Sequence, residues 1–512
     1  MRTKKALYTF ISSIILQITT IMLNIITYKF FLEYYGSAIN GLNAAIMQAL
    51  TYMNLVEAGV GMASIQALYG PLAKKDYQQI NGIMSATKKF YIQSGVIFCA
   101  LLVSLSIIFP FIIKGQVPAI ITSLLVLILG GGSIVEFFMH GKYRVLLTAD
   151  QKGYVLDYTL TAATVISALL RIFLMIHGFN VLVVQFVSTL IYIMRVAFLR
   201  IYVKKNYPKL NFYTKPNTKA IEKRWAALFH QIAGLIVFNT DILVITIFCG
   251  LMSTSVYSTY NLIYGTLISF IWLLARSTTS GFGELIVTND NKTLNSAFSS
   301  YEYLFYIIVT WIYSVTFIMI IPFIMLYTSN VHDINYIDMK LAVLFTMVGV
   351  ANCIRVPTNT LIISAGHFAE TKYRALAEAA INLSTSLLLV HFLGIYGVLV
   401  GTVISFIYRT IDTIIYSNRK ILKRSIRISL VRIIRNIILG IMVVIISSKF
   451  IHISTDDWFG WSVKGVLCSI LALFIITLGN AIAEPIEMKS LLTRILRLAS
   501  RIFRFKRLSD DT

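Results

Sequence analysis

The chain has 512 residues, 57% of them hydrophobic and 13% charged, with a mean hydropathy of +0.77. Soluble globular domains average about 25% charged residues, so a water-soluble enzyme, a disordered chain and a disulfide scaffold are all excluded, and lipid is the expected solvent. The net charge is +23, from 45 Lys and Arg against 22 Asp and Glu, and its meaning depends on where the cations lie.

A hydrocarbon core about 30 Å thick takes about 20 residues of helix. Apolar runs near that length fall at 9–31, 39–69, 90–113, 118–140, 154–176, 180–203, 225–248, 254–280, 301–328, 339–363, 373–393, 396–417, 431–450 and 462–483, predicting an all-α polytopic membrane protein with about 14 spans. Arg2, Lys4 and Lys5 ahead of span 1 imitate a signal peptide, but no clear small-x-small cleavage site follows, so span 1 is expected to be retained. With the N-terminus in the cytoplasm, the cytoplasmic segments hold roughly 35 of the 45 cations. Among these are Lys142, Arg144 and Lys152, and the stretches Arg200 to Arg224, Arg419 to Arg435 and Lys489 to Arg507. The outer segments hold Lys114, Lys340, Lys449 and Lys464. This asymmetry predicts that both termini are cytoplasmic. It also removes the nucleic-acid reading of the charge. In the tail, Arg494, Arg497, Arg501 and Arg504 lie beside a face of Leu491, Ile495, Leu498, Ile502 and Phe505, the pattern of a helix lying among lipid headgroups. Cys99, Cys249, Cys353 and Cys468 stand singly and indicate neither a disulfide nor a metal.

The chain resembles itself at an offset near 214. Tyr35-Gly36 matches Cys249-Gly250, Gly70 matches Gly283, and Pro110 matches Pro322. Leu147-Thr148-Ala149 matches Ile363-Ser364-Ala365, and Gly178 matches Gly394. An even number of spans per repeat predicts two parallel six-helix lobes around a central cleft, related by an axis along the membrane normal. The expected organisation is an N-lobe over 1–203, a cytoplasmic linker over 204–224, a C-lobe over 225–417, spans 13 and 14 over 418–486, and a basic amphipathic tail over 487–512.

This six-plus-six-plus-two layout comes with the turn from Tyr35-Gly36 to Gly41-Leu42. It also comes with the stretch Leu55-Val56-Glu57-Ala58-Gly59-Val60-Gly61, followed by Leu68-Tyr69-Gly70-Pro71-Leu72. Together these features resemble the multidrug/oligosaccharidyl-lipid/polysaccharide exporter (MOP) superfamily, and within it the Wzx-type flippases of lipid-linked oligosaccharides. The resemblance implies that spans 1, 2, 7 and 8 line the cleft. It implies a cargo of undecaprenyl-pyrophosphate-linked oligosaccharide, flipped by alternating access for capsule, O-antigen or exopolysaccharide assembly. Membrane lipids, a polymerase and export machinery would be the partners. The lipid II flippases of the superfamily use arginines in spans 1, 2 and 8, where this chain has Lys29, none and Arg276. The drug exporters rely on an acidic residue in span 1, where this chain has none before Glu33.

Ten ionisable residues stand out within the spans: Lys29, Glu57, Glu136, Arg171, Arg195, Asp241, Arg276, Arg355, Glu378 and Arg409. Each costs about 2.5–3.5 kcal/mol at mid-helix, so most must pair, face a wet cavity or sit near an interface. A pyrophosphate calls for cations, and Lys29, Arg171, Arg276 and Arg355 are the candidates, guanidinium being suited to phosphate oxygens. Sugars call for amides and aromatic faces, supplied by Asn24, Gln48, Tyr260, Asn261 and Tyr264. Glu57 and Asp241 are candidates for a proton or sodium site, or for pairing with the cations. His140 and His230 read as hydrogen-bonded packing residues. No GxxxxGK[ST] motif is present, and neither an enzyme activity nor a cofactor is expected. The rivals are a cation-coupled drug exporter, a lipid II flippase and, more remotely, a membrane polysaccharide polymerase, for which the outer loops are too short.

Overall fold

The computed structural model describes residues 2–57, 59–221, 240–276, 278–288 and 290–494. Among the described residues every regular element is helical, and twelve helical segments are long and apolar enough to cross a membrane. Two of the twelve, Tyr8–Glu57 with 50 residues and Asp241–Val287 with 47, are about twice the length that one crossing needs. Spans 1 and 2 therefore share one bent helix, α1 (Arg2–Met53), which breaks at Gly36 with φ 75 and ψ 176. The end of span 7 and most of span 8 share α8 (Asp241–Arg276), which breaks at Gly250 with φ 85 and ψ 176. Only glycine holds that backbone without severe strain. Residues 225–239 of span 7, including His230, and residues 495–512 of the tail lie outside the described residues.

The remaining elements are α2 (Val60–Lys74), α3 (Tyr77–Ile112), α4 (Ala119–Val135), α5 (Gly141–Ala149), α6 (Gly153–Ile176) and α7 (Val181–Asn206), then α9 (Thr279–Val287) and α10 (Asn291–Tyr327). After them come α11 (Met339–Ile354), α12 (Val356–Ser364), α13 (Phe368–Leu393), α14 (Ile395–Tyr416), α15 (Arg427–Phe450) and α16 (Trp458–Ala483). Span 2, expected to be continuous over 39–69, instead ends in a 3-10 turn at Asn54–Glu57 and restarts at Val60 after Gly59, which has φ 89.

Landmarks of the repeat recur in the backbone. The long helices α3 and α10 each start on an aspartate cap: Asp76 accepts from the Gln79 amide at 3.1 Å, and Asp290 from the Thr293 amide at 3.0 Å. Each carries a proline inside its last turns, Pro110 and Pro322. The side-chain cap satisfies an otherwise orphaned helix N–H, so both polar starts are fixed where the apolar run has yet to begin.

The chain divides into two compact units, Met1–Thr259 with Asn330–Ile334, and Tyr260–Ser329 with Asn335–Thr512. The first has a core around Leu42, Ile46, Met84, Phe98, Leu125 and Leu146. In the second, Tyr303, Ile307, Leu439, Val443 and Ile476 join α10 to α15 and α16. Large apolar side chains such as Ile107, Phe111, Ile120, Leu388 and Phe392 face outward, as a lipid-solvated surface allows.

Candidate functional site

Most of the charged groups within the spans are neutralised by partners on neighbouring helices. In the first unit, Glu57 accepts from Arg144 and from the Tyr91 hydroxyl, and Arg144 Nε lies 2.9 Å from Glu136 Oε1. Glu136 in turn contacts His140 Nδ1 and accepts from Tyr192 at 2.7 Å. In the second unit, Arg355 bonds to Glu378, which also receives Arg409 at 3.4 Å; Arg409 reaches Asp412 at 2.9 Å, and Arg374 meets the same aspartate. Glu302, fully buried, accepts from Arg424, Arg432 and Ser429, and Arg432 and Arg435 continue to Glu484. Pairing lowers the insertion cost without water, because breaking such a pair would strand a charge.

The sequence-based candidates separate on these contacts. Arg355 is 5% exposed, bonded to Glu378 and stacked over Phe406 at 4.6 Å, so its fork is already engaged. Tyr260 and Tyr264 do not present an aromatic stripe. Tyr260 is fully buried against Phe345, and its hydroxyl donates to the Tyr336 carbonyl at 2.9 Å. Tyr264 stacks on the same Phe345 and shares a hydrogen bond with Thr346 at 2.7 Å. Asn261 is half-buried, and Gln48 is buried with its Nε2 lacking a hydrogen-bond partner. Asp241 accepts from Tyr257 at 3.0 Å. Lys29 is half-buried in α1, and Arg276 is exposed at the end of α8.

Arg171 is different. It lies near the end of α6, with its guanidinium 6.0 Å from the Phe31 ring and its Nε buried without a hydrogen-bond partner. It faces a chamber of about 160 Å³ between α1, α6 and α7. Asn24, Thr27, Ser167, Ser188 and Tyr192 supply polar atoms to the wall. Thr27 is 5% exposed, and its Oγ1 also lacks a partner. Two buried polar atoms without partners beside one cavity mark a place where a ligand or water completes the bonding. Of the sequence candidates, Arg171 and Asn24 are brought together here.

A second cavity, of about 690 Å³, lies in the second unit between α10, α11, α14 and α15. Its wall includes Phe317, Met347, Ile407 and Ile437, and it carries no charged residue.

Sequence reasoning missed Asp157, which accepts from Ser12 and Ser13, together with Glu302, Arg432 and Asp412. All four fall inside the predicted spans but close to their ends. A count of every charge within each span, rather than of those near its middle, would have found them.

No protein-family model matches the chain, and no curated protein matches it. Its fold is shared with solved transporters of the MOP superfamily. A structure described as the lipid II flippase MurJ in an inward closed conformation superposes with a TM-score of 0.67 at 14% identity, covering 93% of this chain and 99% of that one. An inward-facing multidrug resistance MATE family transporter gives 0.62 at 16%, covering 81% and 98%. A MOP superfamily transporter from Pyrococcus furiosus, described as having a binding pocket of reverse polarity, gives 0.55 at 15%, covering 83% and 97%. At these identities the likeness is one of fold.

Proposed function

We propose that the chain is a flippase that moves undecaprenyl-pyrophosphate-linked oligosaccharide repeat units across the bacterial cytoplasmic membrane by alternating access, for surface polysaccharide assembly. The observation that carries this reading is Arg171, a guanidinium inside the membrane region whose buried Nε has no partner and borders a polar chamber. A diphosphate crossing a medium without water needs a charge-assisted donor, and the planar fork of arginine matches its oxygens. The chamber far exceeds the roughly 10–15 Å³ that one water needs, so a phosphate group fits; a sugar chain does not, and it would lie outside. Asn24, Thr27 and Ser167 complete the polar wall. The uncharged cavity of about 690 Å³ supports a cargo with an isoprenoid tail. A cationic drug finds the opposite of what it needs beside Arg171. Lys29 and Arg276 stay as auxiliary cations, whereas Arg355 is assigned to structure.

Flipping of lipid II is the second reading, favoured by the 93% coverage against the MurJ structure. Lipid II carries the same diphosphate and a similar tail, so Arg171 serves either cargo.

The test is reconstitution of the full chain in vesicles with a fluorescent undecaprenyl-pyrophosphate disaccharide, followed by quenching of the outer leaflet. Arg171→Ala should slow flipping about tenfold or more, since a hydrogen bond to a charged group contributes about 1.5–3 kcal/mol, and Arg171→Lys should fall between. Export of a cationic dye with no lipid flipping would establish the drug-exporter reading instead. Rescue of cells depleted of their lipid II flippase would select the second reading.

A further inference from the structure

The two halves of the repeat differ on one face. In the second unit α15 lies over the groove formed by α10, α11 and α14, and Tyr306, Thr310 and Phe317 of α10 line the uncharged cavity beneath it. It is tied down at Glu302, near the start of α10, which accepts from Arg424 at 2.7 Å and from Arg432 at 3.1 Å. Moved back by the repeat offset of 214, Glu302, Tyr306, Thr310 and Phe317 fall on Lys88, Ile92, Val96 and Val103 of α3. The acidic anchor has become a cation, and the three apolar side chains are exposed. The framework of the groove is kept. α4 lies between α3 and α7, with Gly130 close against Leu102 and the Thr189 hydroxyl donating to the Ile128 carbonyl at 3.1 Å. Among the described residues nothing covers this groove as α15 covers the other.

Cations gather at one end of it. Linker residues 211–217 dock on the start of α3, where the Asn217 N–H donates to the Gly82 carbonyl at 2.9 Å and the Ser85 hydroxyl to the Thr214 carbonyl at 2.7 Å. This sets the Tyr213 ring against Lys88, whose Nζ lies 3.6 Å from its centre, and the Phe212 ring 5.4 Å from Nζ of Lys142 on α5. Lys142 is half-buried, and the charges acting on it are those of Lys88 and of Arg200 on α7. Among the described residues none of these three cations forms an ion pair. Like charges at the edge of a low-dielectric region repel one another, and an aromatic face offsets only part of that. An ordinary topology anchor needs no such gathering, whereas a bound anion does. Into the membrane from Lys88, the same face of α3 carries Ile92 and Val96; from Arg200, the same face of α7 carries Ala197 and Ile193. All four are exposed.

We propose that this groove binds one anionic phospholipid, with Lys88, Lys142 and Arg200 around the headgroup phosphate and the acyl chains along Ile92, Val96 and Ile193. Basic pockets between transmembrane helices take such headgroups. The lipid stands on α3 where α15 stands on α10, and it supplies the negative charge that the three cations lack. On the charge asymmetry of the loops, it belongs to the cytoplasmic leaflet. The site depends on neither the flippase reading nor its cargo.

The experiment titrates the full chain, in a neutral detergent, with phosphatidylglycerol carrying a fluorophore on one acyl chain, and reads affinity from anisotropy. Phosphatidylcholine with the same label should bind about tenfold more weakly or worse. Arg200→Gln should weaken phosphatidylglycerol binding about fivefold, the factor for one cation at a lipid headgroup, and Lys88→Glu, which installs the charge of the second unit, by more. Arg200 is exposed, so its variant keeps the test decisive if Lys88→Glu folds poorly. The triple variant Lys74→Gln, Lys75→Gln, Lys89→Gln removes as much charge from exposed positions on the same side and should bind as wild type does. A photoreactive phosphatidylglycerol should label α3 and α7. Equal weakening in the triple variant and in Arg200→Gln would reveal diffuse attraction to basic loops and overturn the site, as would labelling confined to other helices. Displacement of the lipid by inorganic phosphate, but not by chloride at equal ionic strength, would assign the cations to a soluble anion instead. A cross-link between two copies of the chain through Ile92 would make the groove a dimer face and overturn the lipid.

Discussion

Asp333 accepts the backbone N–H of Ser37 at 2.7 Å, directly after the break at Gly36. Gln116 does the same for Leu251, whose N–H it accepts at 2.8 Å directly after the break at Gly250. A helix broken by an extended glycine orphans the next amide, and a buried orphan amide costs about 1–3 kcal/mol. Ser37 is fully buried beneath the exposed Asp333, so the aspartate is the group that satisfies this amide. Asp333→Ala should therefore destabilise the protein by about 1–3 kcal/mol, Asp333→Asn by less, and Gln116→Ala by an amount similar to Asp333→Ala. Thermal unfolding of the purified protein reads all three. An unchanged midpoint in Asp333→Ala would mean that the break does not depend on its side-chain cap.

The same turn depends on close backbone approach. A Cβ on Gly41 would lie 1.9 Å from the Leu251 carbonyl oxygen, with the Leu251 carbonyl carbon at 2.8 Å. Neither is the movable end of a side chain, so α1 and α8 would have to separate. Gly41→Ala should cost about 3 kcal/mol or more, the upper range for overpacking. Gly70 in α2 has nothing within 4 Å of its Cβ position. Gly70→Ala should be neutral or stabilising by up to about 1 kcal/mol. Equal effects in the two variants would show that contact with Leu251 does not set the cost at Gly41.

These examples show what the sequence could reveal. Gly36 and Gly250 were legible as a matched pair because each backbone angle demands one residue type, and that demand leaves a mark at a fixed offset. Pro110 and Pro322 were legible as a second matched pair at nearly the same offset. The all-helical, many-span character followed from hydropathy, because bilayer thickness fixes helix length. The destinations of the charges were not legible. Arg355 and Glu378 are separated by 23 positions and lie on different helices, and helical periodicity does not reveal which faces of two helices meet. Tyr257, Tyr260 and Tyr264 share one face of α8, as their spacing indicates, yet that face packs against protein. A stripe has the same period whether it meets a cleft or Phe345. Arg171 and Arg355 looked alike in the sequence. Only the nearby carboxylate on α13 separates them.

That separation has its own consequence. Arg355 and Glu378 are a buried pair, 5% exposed each, and removing Arg355 leaves Glu378 with only the longer contact to Arg409 at 3.4 Å. Arg355→Ala should destabilise by about 3–5 kcal/mol, and the double replacement Arg355→Met with Glu378→Gln should recover most of it. Arg171 has no such partner, and Arg171→Ala should leave the unfolding midpoint nearly unchanged while it slows flipping. Measuring both stability and flipping in the two alanine variants separates structure from cargo binding. Loss of flipping in Arg355→Ala at full stability would restore Arg355 to the cargo path.

One carboxylate in a loop between membrane segments gives a pH signature. Asp150 lies between α5 and α6, where partial burial raises its pKa, but three partners outweigh that effect and hold it below the usual carboxylate range. The Tyr207 hydroxyl donates at 2.5 Å, Lys152 Nζ lies at 3.0 Å, and Lys5 Nζ at 3.7 Å. A depressed folded-state pKa means that the unfolded chain takes up the proton first. The stabilisation is therefore complete above the ordinary aspartate value of about 3.9 and is lost as pH falls through the lower folded value. Asp150→Asn should unfold at a lower temperature than wild type at neutral pH, and the two curves should converge under strong acid. Because the carboxylate is only partly buried, added salt should narrow the neutral-pH gap. A gap independent of both pH and salt would show that Asp150 acts through the geometry of its hydrogen bond to Tyr207 rather than through its charge.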